Sequence, residues 1–246
     1  MSSSDYDSQL NIFTNSNASV LSKEETIKRL CFLINNLSEN NLEAQVEEIR
    51  YILPENLINW LAEFLVRRSG FEPNFHFLYS SFVDKLTMIF KRFDETVIEL
   101  IKYKSDNILK PGKIEDNNTM KILKNFGSFL GYLTLARDIH VCLDLKGLLR
   151  DTYQNDRESL DYILPFICHI LRGLEFSKTI TKYHPWSQEL LSIIKELYDL
   201  TNKINLQFEI EIFFKLLDIS VIEIKSAFYL RLNHVCPSPL QTVKSN

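Results

Sequence analysis

Apolar residues recur three and four positions apart along almost the whole of this 246-residue chain, and this spacing limits the folds open to it. Such spacing places the apolar side chains on one face of an α-helix. The first and last stripes are Ile27, Leu30, Ile34 and Leu37, and Phe208, Ile212, Leu216 and Leu217. Alternation of the strand type is absent, and six glycines and seven prolines are few for a turn-rich β fold. The pattern predicts an all-α fold of about ten amphipathic helices.

Local signals indicate where several of these helices begin and end. Ser22 and Glu25 have the spacing of a capping box, in which each side chain accepts a hydrogen bond from the other residue's backbone amide. Gly70 follows an apolar stripe, as is typical of a helix C-terminus. Pro73 lacks an amide hydrogen that would have no partner in the first turn of a helix, so we predict that a new helix begins there.

Successive helix pairs recur roughly every 40 residues, which is the repeat length of HEAT-type pairs. Each pair leaves an apolar face that only a neighbouring pair can cover, and stacking of such pairs produces a solenoid with an extended concave surface. We therefore expect a right-handed α-solenoid of about five HEAT-type helix pairs. One conspicuous loop, Lys104 to Asn118, is expected to separate early repeats from later ones.

The two ends of the chain differ from its middle. Residues 1–20 are rich in Ser, Asn and Asp and are expected to form a disordered leader, without the basic and apolar stretches of a signal peptide. Residues 21–234 are expected to form the repeat domain. The stretch from Phe228 to Leu230 is left open as a last helix. Residues 235–246 contain two prolines and are expected to form a flexible tail.

The composition excludes several classes of function. A hydrophobic content of 45% and a charged content of 24% are those of an ordinary soluble globular protein. The net charge of −4 provides no global basic field for nucleic acid. Four scattered cysteines without a Cys-x-x-Cys pair argue against a disulfide framework or a zinc site. No apolar stretch reaches the roughly 18 residues that a membrane-spanning helix needs.

No set of residues in the sequence has the spacing of a catalytic or metal site. Cys168 and His169 are adjacent, but neighbouring side chains on a helix point about 100° apart, so we interpret both as buried helix residues. The five histidines lack metal-ligand spacing. Gly127 and Gly131 lack the Gly-Lys-Ser/Thr ending of a phosphate loop and are predicted instead to let another helix approach closely. We therefore expect neither catalytic residues nor a metal or cofactor.

Two segments are candidates for partner binding. In Glu72-Pro73-Asn74-Phe75, Phe75 is expected in the core, whereas Glu72 and Asn74 lie at a helix start and can cap amides or face a partner. In Tyr183-His184-Pro185-Trp186, the proline can begin a helix. Trp186 either packs at that helix start or is exposed as an anchor for a partner, because tryptophan is enriched in binding hot spots.

Several motifs resemble one family when taken in order. They are EPNFHFLYSSFVDKL (72–86), LKNFGSFLGYLTLAR (123–137) and INLQFEIEIFFKLL (204–217). The segment Glu72-Pro73-Asn74-Phe75 resembles the middle domain of initiation factor 4G, and the longer set is similar to the same domain in the Not scaffold subunit of the Ccr–Not deadenylase complex. The likeness extends from about residue 26 to residue 222. The connection of residues 138–142 looks shorter than that family's loop, and the lead into Trp186 is reduced.

The resemblance implies a non-catalytic scaffold module. It would dock a Caf/Pop-type poly(A) exonuclease and a DEAD-box helicase, contact other subunits of the complex, and reach RNA only indirectly. The implied roles are mRNA deadenylation, mRNA decay and translational repression, in the cytoplasm, with a nuclear location left open. The hypothetical helicase-facing residues are Glu72, Asn74, His76 and Tyr79. The hypothetical deadenylase-facing residues are Pro185 and Trp186.

Three competing interpretations remain at this point. The first is an initiation-factor-type helicase activator, for which the motif around His76 and Tyr79 is the wrong variant. The second is an RNA-binding helical repeat protein, which the net charge and the absence of a regular basic stripe disfavour. The third is a hydrolase, which would require a converging acid and base that the sequence does not provide.

Overall fold

The structure is a computed structural model that describes residues 22–110 and 116–232. Ten α-helices occupy these ranges: α1 (Lys23–Asn35), α2 (Leu42–Ile52), α3 (Ile58–Ser69), α4 (His76–Ile89), α5 (Phe93–Leu109), α6 (Asn117–Leu133), α7 (Leu145–Asn155), α8 (Leu160–Leu171), α9 (Pro185–Leu200) and α10 (Ile204–Leu216). The same ranges contain no β-strand. The predicted all-α fold is confirmed.

Some sequence expectations concern residues outside this part of the chain. The predicted leader, residues 1–20, and the predicted tail, residues 235–246, both lie outside the described residues. So do residues 111–115. The predicted loop from Lys104 to Asn118 is too long, because α5 continues to Leu109 and α6 begins at Asn117. The chain divides after Ile58 into two compact units, and the predicted repeat domain of residues 21–234 extends over both.

The first unit contains α1 and α2. The predicted capping box is present at the start of α1: the Ser22 hydroxyl accepts from the Glu25 amide at 3.3 Å, and the Glu25 carboxylate accepts from the Ser22 amide at 2.9 Å. The two helices bury Leu30, Leu33 and Ile34 from α1, and Val46 and Ile49 from α2. Arg29 of α1 also donates to the Glu48 carboxylate of α2, with one N–O distance of 2.8 Å.

In the second unit, alternate helices are neighbours. Helices α4, α6, α8 and α10 lie side by side in chain order, with α5 against α4 and α6, α7 against α8, and α9 against α7 and α10. This is the stacking of successive helix pairs in an α-solenoid. Large side chains fill the space between the helices, and those that are fully buried include Phe82, Phe129, Phe166, Phe213 and Phe214.

The most extensive helix–helix contact joins α6 to α8, and two glycines permit it. A methyl group at Gly127 would lie 2.6 Å from the carbonyl oxygen of Phe166. A methyl group at Gly131 would collide with the backbone of Ile170. The predicted role of the two glycines in close helix packing is confirmed. We call this contact the α6–α8 seam.

Residues 219–232, which we call the strap, run without a helix across α7 and α9. The fully buried carboxylate of Glu196 in α9 accepts from the amides of Tyr229 at 2.7 Å and Leu230 at 3.0 Å, and from Arg231 Nε at 3.1 Å. Gln154 of α7 donates to two strap carbonyls. The stretch from Phe228 to Leu230 is therefore not a last helix, because its backbone amides are bound by a side chain of α9.

Candidate functional site

The segment that resembles initiation factor 4G forms the junction between α3 and α4. Pro73 opens a 3₁₀ turn, Pro73–Phe75, and α4 follows it directly. The prediction that a helical segment begins at this proline is confirmed. The prediction that Phe75 is a core residue is wrong, because its side chain is 46% exposed. Phe75 lies in the turn before α4, and it stacks against Tyr79 at 5.9 Å between ring centroids.

His76 is buried rather than partner-facing, since only 1% of it is exposed. Its Nε2 lies 2.7 Å from the carbonyl oxygen of Ser69, and its ring packs against Phe129 at 5.4 Å. A carbonyl oxygen only accepts, so Nε2 donates. Burial lowers the pKa of His76, although the Ser69 carbonyl opposes this shift, and the neutral ring is favoured. The expected contact between His76 and a helicase is therefore corrected to a contact within the core.

Tyr79 is likewise 1% exposed, and it belongs to a hydrogen-bonded cluster with Arg68 and Glu72. Its hydroxyl donates to the Glu72 carboxylate, Arg68 Nε donates to the same hydroxyl at 3.0 Å, and Arg68 pairs with Glu72 at 2.9 Å. Burial, with the bond to Glu72, raises the pKa of Tyr79 to about 12. Tyr79 is therefore corrected to a core residue. Glu72 is half-buried, and Asn74 is exposed.

A row of aromatic side chains crosses the surface beside this junction. Phe77 of α4 is 57% exposed, and its ring lies 6.5 Å from that of Tyr132 in α6. Tyr132 in turn lies 5.3 Å from Phe176, which follows α8 and is exposed. We call Phe77, Tyr132 and Phe176 the aromatic ridge. The sequence does not reveal this ridge, because its members come from three distant segments and share no motif. Exposed aromatic groups of this kind are typical of protein-binding surfaces.

Trp186 lies in the first turn of α9, directly after the exposed Pro185. His184 caps this helix, and its Nδ1 accepts from the Trp186 amide at 3.3 Å. The His140 ring packs edge-on against the half-buried indole at 5.4 Å, and it lies 5.6 Å from the His184 ring. We call His140, His184 and Trp186 the tryptophan cluster. The indole therefore both packs on a neighbouring ring and remains partly open to solvent.

Asp138 holds together the two connections that carry the tryptophan cluster. It has a positive φ of 61° after α6, and its carboxylate accepts from the Ser177 hydroxyl at 2.6 Å, the Lys178 amide at 2.8 Å and the Thr179 amide at 2.7 Å. The Ser177 hydroxyl, followed by the two amides, holds the pKa of Asp138 well below its ordinary value. This stabilisation is complete above the unfolded-state pKa of about 3.9 and is lost as the pH falls through the lower folded-state pKa.

The residues first considered for catalysis lie in the helical core. Cys168 is fully buried, and burial raises the pKa of its thiol, so the thiol stays protonated. Burial also lowers the pKa of His169 to about 3, and its Nε2 lies 4.0 Å from Glu209. Within residues 22–110 and 116–232, no group of three or more His, Cys, Asp or Glu side chains is placed to hold a metal ion. No helix of the described part is long and apolar enough to span a bilayer.

Comparison with known proteins identifies the family of this chain. Residues 19–238 match the family described as the CCR4-NOT transcription complex subunit 1 CAF1-binding domain. The CCR4-NOT transcription complex subunit let-711 of Caenorhabditis elegans is 31% identical over 211 residues, which cover 80% of this chain and 8% of that protein.

Two yeast proteins, each named general negative regulator of transcription subunit 1, are similar over most of the chain. The Saccharomyces cerevisiae protein is 28% identical over 220 residues, or 86% of this chain and 10% of that protein. The Schizosaccharomyces pombe protein is 29% identical over 221 residues, or 87% of this chain and 10% of that protein. The chain thus spans only 8% to 10% of the length of these relatives. By its matched residues, the chain belongs to the CAF1-binding domain family of CCR4-NOT transcription complex subunit 1.

Proposed function

We propose that this chain is a non-catalytic scaffold module that docks a CAF1-type deadenylase. The observation that carries the proposal is the match of residues 19–238 to the CAF1-binding domain. Cys168 and Glu209 have the surroundings of structural residues. The thiol of Cys168 is buried and protonated, and Glu209 pairs with Lys124 at 3.2 Å. A scaffold acts by raising the local concentration of the proteins that it holds, and this effect depends on tethering geometry.

The tryptophan cluster and Pro185 are our proposed deadenylase-docking surface. Pro185 is exposed, and the half-buried indole of Trp186 is held by His140 on one side. An aromatic side chain whose position is already fixed loses little conformational entropy on binding. Asp138 contributes to this preorganisation because it ties the Ser177 loop to the connection that carries His140.

We predict that Trp186→Ala weakens binding of a CAF1-type deadenylase at least about tenfold, because truncation of a hot-spot tryptophan commonly costs about 2 kcal/mol or more. Isothermal titration calorimetry with the purified deadenylase provides the measurement. Tyr51→Ala, which removes a more exposed aromatic ring from α2, is the matched control and is expected to bind as the wild type does.

The outcomes of this experiment separate the function from its site. If the wild-type chain does not bind the deadenylase, the proposed function is wrong. If wild type and a folded Trp186→Ala variant bind equally well, the function stands and the tryptophan cluster is not its surface. Circular dichroism establishes that the variant is folded.

We further propose that a DEAD-box helicase binds at the aromatic ridge and the neighbouring 3₁₀ turn. The proposal is supported by the likeness of this junction to the middle domain of initiation factor 4G and by the exposure of Asn74, Phe75 and Phe77. Because His76 and Tyr79 lie in the core, two of the four predicted helicase-facing residues are still accessible: Asn74 and the half-buried Glu72. The exposed aromatic rings supply the apolar area that those polar groups lack.

We predict that Phe77→Ala reduces helicase affinity at least about tenfold, since it removes an exposed ring from the centre of the proposed surface. Met88→Ala is the matched control, because Met88 is 83% exposed on the same helix and lies outside the ridge. Binding is measured by calorimetry with the purified helicase. Equal loss of affinity in both variants, or no loss in Phe77→Ala, contradicts the assignment of the ridge.

A module that holds both partners would promote mRNA deadenylation, decay and translational repression in the cytoplasm, with RNA reached through the bound proteins. The competing functions predict different results. An initiation-factor-type activator would bind the helicase without the deadenylase. An RNA-binding repeat protein would bind single-stranded RNA by itself with a strong dependence on salt concentration.

A further inference from the structure

A groove between α3 and α5 is used by neither of the surfaces described above. Its volume is about 620 Å³, and its walls include Trp60 and Glu63 from α3 and Glu99, Leu100 and Tyr103 from α5. All of these residues belong to the second unit of the chain. The groove combines aromatic walls with carboxylates, and this combination restricts the chemistry of a ligand.

The aromatic walls are accessible from solvent. Tyr103 is 65% exposed, so most of its ring is open to solvent. Trp60 is half-buried and stacks on Phe64, with 5.3 Å between ring centroids and an interplanar angle of 19°. The guanidinium of Arg68 lies over the Phe64 ring at 5.8 Å. An aromatic column on α3 therefore already binds one guanidinium at one end, while its other end, Trp60, lines the groove.

The charges of the groove are acidic. The Glu63 side chain is largely exposed, and Lys104 of α5 reaches across to it with an N–O distance of 3.2 Å. Glu99 is exposed; Arg92 forms its ion pair with Glu95 and is close enough to Glu99 for a weaker electrostatic attraction. Lys104 thus shows that a basic side chain from α5 can reach the Glu63 carboxylate, and Glu99 leaves a second carboxylate at the rim.

In two other cavities of the second unit, the charged side chains are already hydrogen-bonded to the backbone. In the cavity near Asp144, that carboxylate caps α7 by accepting from the Gly147 amide at 2.9 Å. In the cavity near Lys182, the lysine donates to the carbonyl oxygens of Leu217 and Asp218. These charged groups serve the fold itself. The carboxylate of Glu99 has no comparable bond among the described residues.

We propose that the α3–α5 groove binds an arginine-containing basic segment of a partner protein. A guanidinium group stacks on aromatic rings and donates two hydrogen bonds to a carboxylate, so one arginine can use Trp60 or Tyr103 together with Glu63 or Glu99. The aliphatic part of the arginine side chain packs on Leu100. Nucleic acid is disfavoured as the occupant because the two carboxylates repel phosphate. The proposal is independent of deadenylase and helicase docking.

The probe is a short acetylated and amidated peptide of repeated Gly-Arg-Leu units. The chain has two tryptophans, so a Trp186→Phe background leaves Trp60 as the sole reporter of tryptophan fluorescence. We expect a saturable change in its emission on titration of the peptide into the full-length chain. The matched control peptide carries citrulline, the neutral isostere of arginine, and is expected to bind at least about tenfold more weakly.

Variants of the protein locate the interaction. The double substitution Glu63→Gln and Glu99→Gln is expected to weaken binding of the arginine peptide at least about tenfold, as is Tyr103→Ala. Asp106→Asn removes an exposed carboxylate from the same helix outside the groove and is expected to leave the affinity unchanged. Because all these side chains are at least half exposed or lie at the rim, the variants are expected to fold, and circular dichroism verifies this.

Three results would overturn the proposal. The first is equal affinity for the arginine and citrulline peptides, which would show that charge is not recognised. The second is an equal effect of Asp106→Asn and the groove variants, which would indicate nonspecific attraction to an acidic surface. The third is wild-type affinity for the arginine peptide in every groove variant. Tight binding of a polyuridine oligonucleotide that competes with the peptide would assign the groove to RNA instead.

Discussion

Replacing both Gly127 and Gly131 by alanine is expected to lower the free energy of unfolding by about 4 kcal/mol. Overpacking a core contact costs up to about 3 kcal/mol per site, and the higher helix propensity of alanine returns about 1 kcal/mol at each. The cost lies near the upper limit because the added methyl groups meet the backbone of Phe166 and Ile170 in α8, which no change of rotamer can move. The two helices must therefore separate.

Urea denaturation followed by far-UV circular dichroism measures this loss. Ser128→Ala is the matched control, since Ser128 is half-buried on the same helix between the two glycines. It gains helix propensity without entering the α6–α8 seam, so its unfolding free energy is expected to stay within about 0.5 kcal/mol of wild type. If the variant with both Gly127→Ala and Gly131→Ala unfolds at the same urea concentration as the wild type, the close approach of α6 and α8 is contradicted.

Glu196→Ala is expected to lower the free energy of unfolding by about 3 kcal/mol and to release the strap. The fully buried carboxylate accepts from two strap amides and from Arg231, and loss of one partner of a buried charged pair costs about 3–5 kcal/mol. The expected loss of unfolding free energy lies at the lower end of this range because Arg231 is partly exposed, so water can solvate its charge. Release of the strap also exposes Leu230, which is fully buried.

Two measurements test this expectation. Urea denaturation gives the stability, and limited digestion with trypsin reports release of the strap, since cleavage after Arg231 requires the backbone to leave α9. Glu189→Ala is the matched control on the same helix: Glu189 pairs with Lys146 at 2.8 Å but is exposed, and such a pair contributes at most about 1 kcal/mol. Equal behaviour of the two variants would show that the strap is not held by Glu196.

The features that sequence analysis predicted correctly depend on neighbours close in the chain. The capping box at Ser22 and Glu25 needs residues three apart, and Pro73 begins a helical turn through its own missing amide. The spacing of Gly127 and Gly131 indicated close packing because residues four apart share one face of a helix. The same periodicity predicted the all-α fold.

The features that sequence analysis missed depend on contacts between distant segments. The sequence predicts a partner-facing His76, but its side chain bonds to the Ser69 carbonyl and packs on Phe129, a contact between helices that the apolar stripe of α4 does not indicate. The spacing of Phe75 with Leu78 and Phe82 predicts a place in the core, yet Phe75 lies in the 3₁₀ turn and is exposed. The strap has no periodic pattern, so its attachment to Glu196 is visible only once α9 is in place.

The α6–α8 seam determines how far apart the two proposed partners are held. At its end, a methyl group on Gly131 or Gly173 would collide with the other segment's backbone. This contact brings together Tyr132, directly after Gly131, and Phe176, three residues after Gly173, in the aromatic ridge. Beyond the ridge, the Asp138 carboxylate accepts from the hydroxyl of Ser177, which directly follows Phe176, and so joins this segment to the connection that carries His140. The seam therefore sets the spacing between the two proposed binding surfaces. A helicase bound at the ridge and a nuclease bound at the tryptophan cluster would be held at a fixed distance from each other on one messenger RNA.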